Sequence, residues 1–115
     1  MRRGEIRLVD FDPARGSEAN KTRPAVIVSN NGANAAALRT GRGVVTVLPL
    51  TSNTERVYPF QVLLPAGECG LDRDSKVQAE QIRAVAAERI GRRIGTVPTE
   101  RMTVLDAALR LHLAL

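Results

Sequence analysis

Two short apolar runs dominate this sequence: Ala25-Val26-Ile27-Val28-Ser29 and, further along, GVVTVLPL at residues 43–50. Both are rich in β-branched residues and are followed by polar residues typical of turns, which is the pattern of a buried strand. Alternating or Pro- and Gly-punctuated segments predict further short strands at residues 4–11, 58–64, 75–86 and 89–97. Strands so short and so closely spaced favour a small curled antiparallel sheet or barrel over a doubly wound α/β fold.

The C-terminal segment instead has the spacing of an amphipathic helix. Pro98 suits its first helical position. Its buried face is predicted to consist of Met102, Leu105, Leu109, His112 and Leu113. Because no linker and no internal repeat occurs, we expect one domain over residues 1–115, mainly β, with strands within 4–97 and a C-terminal helix at about 98–114. A helical turn is also predicted in the alanine-rich residues 33–40.

The overall composition is that of an ordinary folded globular protein, with 43% hydrophobic and 25% charged residues in a chain of 115. No apolar run approaches the roughly 20 residues that cross a bilayer, and the first residues lack the apolar region of a signal peptide. Cys69 is the only cysteine, which excludes an internal disulfide and any cysteine-cluster metal site. These features predict a cytoplasmic protein with no membrane partner.

The charge of the chain is unevenly distributed. Lysine and arginine total 17 against 12 acidic residues, a net charge of +5, and all of the cations except Lys21 and Lys76 are arginines. The surplus lies in residues 1–23 and 83–101. Two basic segments on a small domain indicate a polyanionic partner, most simply nucleic acid. A solvated basic surface without a partner fits the charge equally well.

Several kinds of catalytic site are excluded or disfavoured by the residues present. His112 is the only histidine, so two histidines cannot share acid–base catalysis, and its place on the apolar helix face favours packing or an interface. Cys69 has no histidine to activate it as a nucleophile. The acidic residues lack helper ligands at metal-site spacing, and no phosphate-binding glycine loop occurs, so we expect neither a metal nor another cofactor.

The remaining candidates are arginine, lysine, hydroxyl and amide side chains at the ends of predicted strands. They form three clusters, at residues 16–24, 49–53 and 78–81. A guanidinium suits a phosphate, and amide, hydroxyl and carboxylate groups suit the edges of unpaired bases. Each cluster also has an ordinary explanation, in a surface ion pair, a turn cap or a solvated strand face, and spacing alone favours that explanation.

Five short blocks follow one another along the first half of the chain. They are Asp10-Phe11-Asp12-Pro13, Gly16-Ser17-Glu18, Arg23-Pro24-Ala25-Val26, Pro49-Leu50-Thr51-Ser52 and Tyr58-Pro59-Phe60. In this order and spacing the sequence resembles the MazF/PemK-like toxins, the endoribonuclease components of bacterial toxin–antitoxin pairs. The resemblance continues through residues 79–83 and the terminal helix, so it covers nearly the whole chain. Arg7 is a departure, because the family usually has an aromatic residue there.

The resemblance implies a fold, an activity and partners. The fold is a small SH3-like β-barrel that ends in a helix, of the type shared by MazF toxins and the gyrase-poisoning CcdB toxins. The activity is cleavage of single-stranded RNA without metal or cofactor, by a homodimer. The implied partners are the RNA substrate and a cognate antitoxin, whose acidic tail would lie along the basic groove.

The resemblance also implies particular site residues. The catalytic arginine and threonine of the family fall on Arg23 and Thr51. Glu18, Glu80 and Gln81 fall on positions that contact RNA in the family. The three polar clusters add further candidate RNA-binding residues, namely Ser17, Asn20, Lys21, Ser52, Asn53 and Gln78.

RNA cleavage without metal can use the substrate's own 2′-hydroxyl, which leaves 2′,3′-cyclic phosphate and 5′-hydroxyl ends. Arg23 suits the charge that develops on the phosphorane oxygens, since a guanidinium can bind two of them at once. Thr51 can add a hydroxyl donor or help to orient the attacking group. Glu18 is the carboxylate that we nominate as the base.

Two other functions remain open at this point. One is a CcdB-like toxin that poisons gyrase without being an enzyme, and the other is a plain nucleic-acid-binding barrel. A gyrase poison would not need the pairing of Arg23 with Thr51. No residue excludes the binding barrel.

Overall fold

A computed structural model of the protein describes residues 1–13, 15–19 and 21–115. The elements, in chain order, are β1 (Glu5–Asp10), β2 (Thr22–Ile27), α1 (Asn31–Thr40), β3 (Val44–Thr51), β4 (Gln61–Leu64), β5 (Ser75–Gln78), β6 (Arg83–Ala86), β7 (Ile90–Thr96) and α2 (Thr99–Leu113). Two 3₁₀ turns, Ala79–Gln81 and Ala87–Arg89, precede β6 and β7. Neither α-helix is long and apolar enough to cross a membrane, in the part of the chain that is described.

The strands form one antiparallel sheet in the order β4-β5-β3-β2-β1-β7, with β6 paired to β3 beside this path. The sheet curls, because Val62 of β4 and Ile6 of β1 contribute to the same hydrophobic core although they lie far apart in the strand order. It does not close into a full barrel. The predicted fold, mainly β with a C-terminal helix and barrel-like, is confirmed.

Hydrophobic side chains pack on both faces of the central strands. On the side of α2, Val26 and Leu48 pack in one core with Leu105. On the side of α1, Ala25 and Ile27 belong to a second core. Since successive residues of a strand point to opposite faces, a strand buried on both faces is apolar throughout. This is why β2 and β3 appear in the sequence as unbroken apolar runs.

The single strand predicted over residues 75–86 is wrong. It is two strands, β5 and β6, separated by the 3₁₀ turn Ala79–Gln81. Both strands pair with the same edge of β3, β5 through Leu50 and β6 through Val45. The chain runs on along this edge from the Leu50–Val77 pair to the Val47–Arg83 pair, and the turn takes up the residues by which the two registers differ. The alternation of residue types continues across this turn and hides it in the sequence.

The helices also differ from their predicted extents. The predicted turn at 33–40 is a ten-residue helix, α1, capped by Asn30, whose Oδ1 accepts a hydrogen bond from the N–H of Ala33 at 2.8 Å. Pro98 is the N-cap residue of α2 rather than its first helical residue. The predicted buried face of α2 holds for Leu105, but His112 and Leu113 are exposed because the core ends before the last turn of the helix.

The turn at residues 65–71 crosses the end of β7 at very short range. The N–H of Thr96 donates to the carbonyl of Cys69 at 3.2 Å. A Cβ atom at Gly95 would lie 1.7 Å from that carbonyl oxygen, and a Cβ at Gly70 would lie 2.6 Å from the carbonyl oxygen of Ile94. Glycine is therefore required at both positions, and the crossing fixes the turn that leads towards β5.

Candidate active site

A cavity of about 310 Å³ lies where β2 begins and β3 ends, and we refer to it as the strand-end cavity. The register of the two strands accounts for its position. Ala25 pairs with Pro49, so the same antiparallel register sets Arg23 opposite Thr51. The lining residues are Lys21, Thr22, Arg23, Pro24, Leu50, Thr51, Ser52, Leu71, Asp72, Arg73 and Ser75. The two residues that the resemblance nominates as catalytic thus share one cavity.

Thr51 is held in place from two sides. It is the last residue of β3 and pairs with Lys76 of β5. Its Oγ1 accepts a hydrogen bond from the N–H of Asn53 at 3.3 Å, which shapes the turn that follows. The hydroxyl proton of Thr51 is not used in this bond, so it can be donated to a ligand.

Three cations and one carboxylate line the strand-end cavity. Lys21 has a left-handed backbone conformation, with φ of 63°, and its N–H donates to the carboxylate of Asp12 at 2.7 Å. The side chains of Lys21 and Arg73 make no hydrogen bond or ion pair with any residue the structure describes. Together with Arg23 they give the cavity an excess of positive charge over its one acidic residue, Asp72. Such a cavity suits a phosphodiester.

Asp72, Arg73 and Ser75 were not predicted as site residues. They lie before and at the start of β5, in a segment whose sequence resembles an ordinary polar connection. The signal that could have found them is the pairing of β5 with the end of β3, which carries Thr51. No local sequence pattern reveals that pairing, since it joins residues 50–51 to residues 76–77.

A second hollow, which we call the loop cleft, is lined by Glu18, Ala19 and residues 80–83. Gln81 joins its two walls, since its Oε1 accepts from the N–H of Ala19 and its Nε2 donates to the carbonyl of Ser17, both at 3.1 Å. The Oε1 of Glu18 accepts a hydrogen bond from the N–H of Arg15 at 2.6 Å. Glu18 therefore lines a different hollow from Arg23 and Thr51.

Glu80, which lines the loop cleft, and Gln78 belong to one polar cluster. Gln61 donates from its Nε2 to Glu80 Oε2 at 2.7 Å, and Gln61 is paired with Gln78 across β4 and β5. The Oε1 atoms of Gln78 and Glu80 are buried and have no hydrogen-bond partner among the described residues. Buried acceptors without donors are costly, so the hydrogen bonding of this cluster is incomplete at these two oxygens.

The remaining predicted RNA-binding residues are spread over the two hollows and their surroundings. Ser52 lines the strand-end cavity, whereas Asn53 lines a separate hollow with Glu55, Arg56 and Lys76. Ser17 contributes its carbonyl to Gln81 beside the loop cleft. Asn20 lies outside the described residues.

Two arginines of the basic segment 83–101 bind the backbone at the end of β1, and we call this pair the arginine clamp. Arg89 donates from Nη1 to the carbonyl of Asp10 at 3.1 Å and also to the carbonyl of Asp12. Arg83 donates from Nη1 to the carbonyl of Phe11 at 3.3 Å, and its guanidinium lies 5.7 Å from the centre of the Phe11 ring. These cations support the loop that leads to Lys21.

Arg7, which stands where the family usually has an aromatic residue, has a structural role. Its Nε donates to the carbonyl of Gly91 and its Nη1 to the carboxylate of Glu5, both at 2.9 Å.

Cys69 is buried, and burial raises the pKa of its thiol, with the charge of Glu68 adding to the effect. A raised thiol pKa disfavours the thiolate that a nucleophile requires.

The described residues offer no ready metal site. Within residues 1–13, 15–19 and 21–115, no group of three or more histidine, cysteine, aspartate or glutamate residues is arranged to hold a metal ion. The chemical groups of the strand-end cavity are therefore guanidinium, ammonium, hydroxyl and a single carboxylate.

Comparison with known proteins identifies the family. A sequence profile described as PemK-like, MazF-like toxin of type II toxin–antitoxin system matches residues 2–113. Over 115 residues the chain is 64% identical to Endoribonuclease MazF9 of Mycobacterium tuberculosis, covering 100% of this chain and 98% of that protein.

Solved structures agree with the sequence match. An endoribonuclease in complex with its cognate antitoxin, from a mycobacterial species, superposes with a TM-score of 0.79 and 25% identity, covering 100% of this chain and 96% of that one. MazF from Deinococcus radiodurans superposes with a TM-score of 0.82 and 26% identity, covering 100% of this chain and 97% of that one. The chain belongs to the PemK-like, MazF-like toxin family of type II toxin–antitoxin systems, as its sequence blocks predicted.

Proposed function

We propose that this toxin cleaves single-stranded RNA at selected sequences, with the ribose 2′-hydroxyl as nucleophile and without a metal ion. The enzyme class follows from the family and from the 64% identity to an endoribonuclease over the whole chain: the protein is an endoribonuclease. The proposed cleavage chemistry rests on the strand-end cavity, which is lined by both Arg23 and Thr51 together with the cations Lys21 and Arg73. We expect it to act in the cytoplasm, where RNA is accessible.

Arg23 stabilises the charge that builds up during cleavage. When the 2′-oxygen attacks phosphorus, negative charge grows on the non-bridging oxygens, and a guanidinium can bind two of them together. A guanidinium holds its proton too strongly to be a good match for proton transfer at neutral pH. We therefore assign Arg23 to charge stabilisation, with Lys21 and Arg73 as neighbouring contacts for the RNA backbone.

Thr51 supplies a neutral donor in the same cavity. Its Oγ1 already accepts from the N–H of Asn53, which fixes the direction of its lone pairs and leaves the proton for a phosphate oxygen or the 2′-oxygen. A hydroxyl that is held in advance costs little reorganisation when the reaction proceeds. Thr51 thus positions the scissile group while Arg23 neutralises it.

Sequence selection is proposed to occur around the loop cleft. Unpaired bases are read through their edges, which requires donors and acceptors in fixed positions. The predicted contacts there are Ser17, Glu18, Asn20, Gln78, Glu80 and Gln81, with Ser52 and Asn53 on the side of the strand-end cavity. The polar cluster of Gln61, Gln78 and Glu80 supports this assignment, because amide and carboxylate groups are the donors and acceptors that base edges require.

A cognate antitoxin is the proposed regulatory partner. Solved relatives include an endoribonuclease in complex with its cognate antitoxin and a MazE-MazF complex from Deinococcus radiodurans. The net charge of +5 favours an antitoxin with an acidic tail. This tail would compete with RNA for Lys21 and Arg73 of the strand-end cavity. Antitoxin binding would then neutralise the toxin by covering its substrate site.

A homodimer is the proposed assembly. The last turn of α2 leaves Leu111 and Leu113 58% and 44% exposed, and Leu115 beyond it is 85% exposed. Apolar side chains grouped at one end of a helix favour an interface over free solvent exposure. Sedimentation should give twice the chain mass, and Leu111→Asp should shift it towards the monomer.

One assay tests the chemistry. Purified protein is incubated with a long single-stranded RNA in excess EDTA, and the new ends are analysed. We expect discrete fragments with 2′,3′-cyclic phosphate and 5′-hydroxyl ends, and no cut where the 2′-hydroxyl has been replaced by hydrogen. Cleavage that requires a divalent ion, or that proceeds equally on deoxyribose, would refute the mechanism. Binding of RNA without any cleavage would favour a plain nucleic-acid-binding barrel. If the protein neither cleaves nor binds RNA but inhibits DNA gyrase in a separate supercoiling assay, a CcdB-like poison would be favoured.

A further inference from the structure

One carboxylate lines the strand-end cavity. Among the lining residues that the structure describes, Asp72 is the sole acidic side chain, and it shares the cavity with Arg23 and Thr51. It makes no hydrogen bond or ion pair with any other described residue. Its oxygens are therefore available to a substrate that occupies the cavity.

Most other carboxylates of the chain are engaged elsewhere. Some form ion pairs with arginines, and others accept hydrogen bonds from backbone or amide N–H groups. The first group is Glu5, Glu68 and Asp106, and the second is Asp10, Asp12, Glu18, Asp74 and Glu80. Asp72 differs from all of these in having both a place in the cavity and no partner.

The segment that carries Asp72 is anchored on both sides. On one side, Leu71 is buried and its carbonyl accepts from the N–H of Gly67 at 3.0 Å. On the other side, Asp74 Oδ1 accepts from the N–H of Ala66 at 2.8 Å. These neighbours fix the backbone of Asp72 at the cavity, and a fixed backbone limits the positions that its short side chain can reach.

We propose that Asp72 is the general base that takes the proton from the attacking 2′-hydroxyl. This inference rests on the proposed function, and it assigns to Asp72 the role for which the sequence nominated Glu18. A carboxylate beside an anionic phosphodiester would normally be repelled. Here the cations Lys21, Arg23 and Arg73 line the same cavity, so its net charge remains positive with Asp72 ionised.

The step balances as follows. The 2′-oxygen forms a bond to phosphorus while its proton passes to an Oδ atom of Asp72, and the bond from phosphorus to the 5′-oxygen breaks. The departing 5′-oxygen takes a proton from a water molecule. The hydroxide that this leaves is neutralised by the proton from Asp72, so the enzyme returns to its starting state.

The first measurement compares two variants that lose the same charge from the same segment. Asp72→Asn is expected to lower kcat by about 10²-fold or more, which is the usual contribution of a positioned base. Its affinity for a 2′-deoxy, uncleavable RNA should be unchanged or tighter, because a negative charge has been removed. Asp74→Asn, the matched control, is expected to retain kcat, and the amide oxygen of the new side chain can still accept the N–H of Ala66. Asp72→Glu should recover part of the rate.

The second measurement separates a base from an acid. An RNA with sulfur in place of the bridging 5′-oxygen has a leaving group that needs no proton, so it rescues variants that lack the general acid. For Asp72→Asn we expect the same loss relative to the unaltered protein as on normal RNA. A loss that disappears on the sulfur substrate would overturn the inference, as would an unchanged kcat with weakened RNA binding.

Glu18→Gln decides between the two carboxylates. For Glu18→Gln we expect KM to rise while kcat is largely retained. If kcat instead falls as much as we expect for Asp72→Asn, Glu18 is the base. The inference fails alone if the unaltered protein cleaves in EDTA and Asp72→Asn cleaves equally well. If the unaltered protein does not cleave at all in EDTA, the proposed function itself has failed.

Discussion

The strand-end cavity and the arginine clamp are both rich in cations, but their side chains are committed differently. In the clamp, Arg83 and Arg89 donate to backbone carbonyls at the end of β1. In the cavity, Lys21 and Arg73 make no hydrogen bond or ion pair with any described residue. In the sequence both regions are simply basic, so charge alone cannot tell a ligand site from a structural support.

The difference lies in where the hydrogen-bond donors go. A guanidinium that already serves carbonyl groups has fewer donors left for a phosphate, and moving it would leave those carbonyls unpaired. A cation without partners loses nothing when a phosphate arrives. We therefore expect substitutions in the cavity to affect catalysis and substitutions in the clamp to affect stability.

The largest expected effect is that of Arg23→Ala. Loss of the group that stabilises the phosphorane should reduce kcat/KM by about 10³-fold or more, with little change in unfolding temperature. Cleavage of a labelled RNA in EDTA measures the rate. Arg93→Ala, on the exposed face of β7, removes the same charge and should retain most of the activity. Full activity in the Arg23 variant would mean that the cavity is not the catalytic site.

Thr51→Val should have the next largest effect. It keeps the shape of the side chain but removes the hydroxyl, and we expect kcat to fall by about 10²-fold, as for the loss of one oxyanion donor. Thr51→Ser retains the hydroxyl and should restore most of the rate. Equal rates in the two variants would show that the hydroxyl is not used.

Arg89→Ala should invert this pattern. Removing its hydrogen bonds to the carbonyls of Asp10 and Asp12 should lower the free energy of unfolding by about 1–2 kcal/mol, while kcat at saturating RNA is largely retained. Urea unfolding gives the stability. The matched control is Arg92→Ala, an exposed arginine of β7 that loses the same charge. Equal stability of the two variants would contradict a structural role for the clamp.

The smallest expected effect concerns Glu5, the first residue of β1, the strand whose other end the arginine clamp binds. Burial by itself raises the pKa of Glu5, but the hydrogen bond from Arg7, a backbone hydrogen bond and nearby positive charge outweigh it, and the pKa is lowered from 4.5. A lowered folded-state pKa stabilises the fold above the ordinary value, and this is lost as pH falls through the lowered value. Urea unfolding below pH 4.5 should therefore show a weaker pH dependence in Glu5→Gln than in Glu55→Gln.

The strands of the centre of the sheet could be predicted, because both of their faces are buried. Continuous apolar composition at residues 25–29 and 43–50 leaves few alternatives to a buried strand. The interruption at Ala79–Gln81 could not be predicted, since it depends on how β5 and β6 divide one edge of β3 between them. The exposed last turn of α2 was missed for a similar reason, because periodicity gives the apolar face but not where the core ends.

The candidate site shows the same division. The resemblance nominated Arg23 and Thr51, and the register of β2 and β3 explains why both line one cavity. Asp72 and Arg73 join them through the pairing of β5 with β3, which brings together residues more than twenty positions apart. No local pattern encodes such a contact. Charge likewise could not show that Arg83 and Arg89 bind carbonyls, because the partners lie over 60 residues earlier in the chain.

The crossing at Gly95 has a consequence for mapping this protein by mutation. Any side chain at Gly95 would collide with the Cys69 carbonyl and displace the turn that precedes Asp72. In a growth screen for loss of toxicity, Gly95 should therefore score as severely as Arg23, although it touches no RNA. Cells that survive such a screen would carry substitutions either in the catalytic residues or at Gly95, which supports them from behind. Only a binding measurement on folded protein distinguishes these two kinds of substitution.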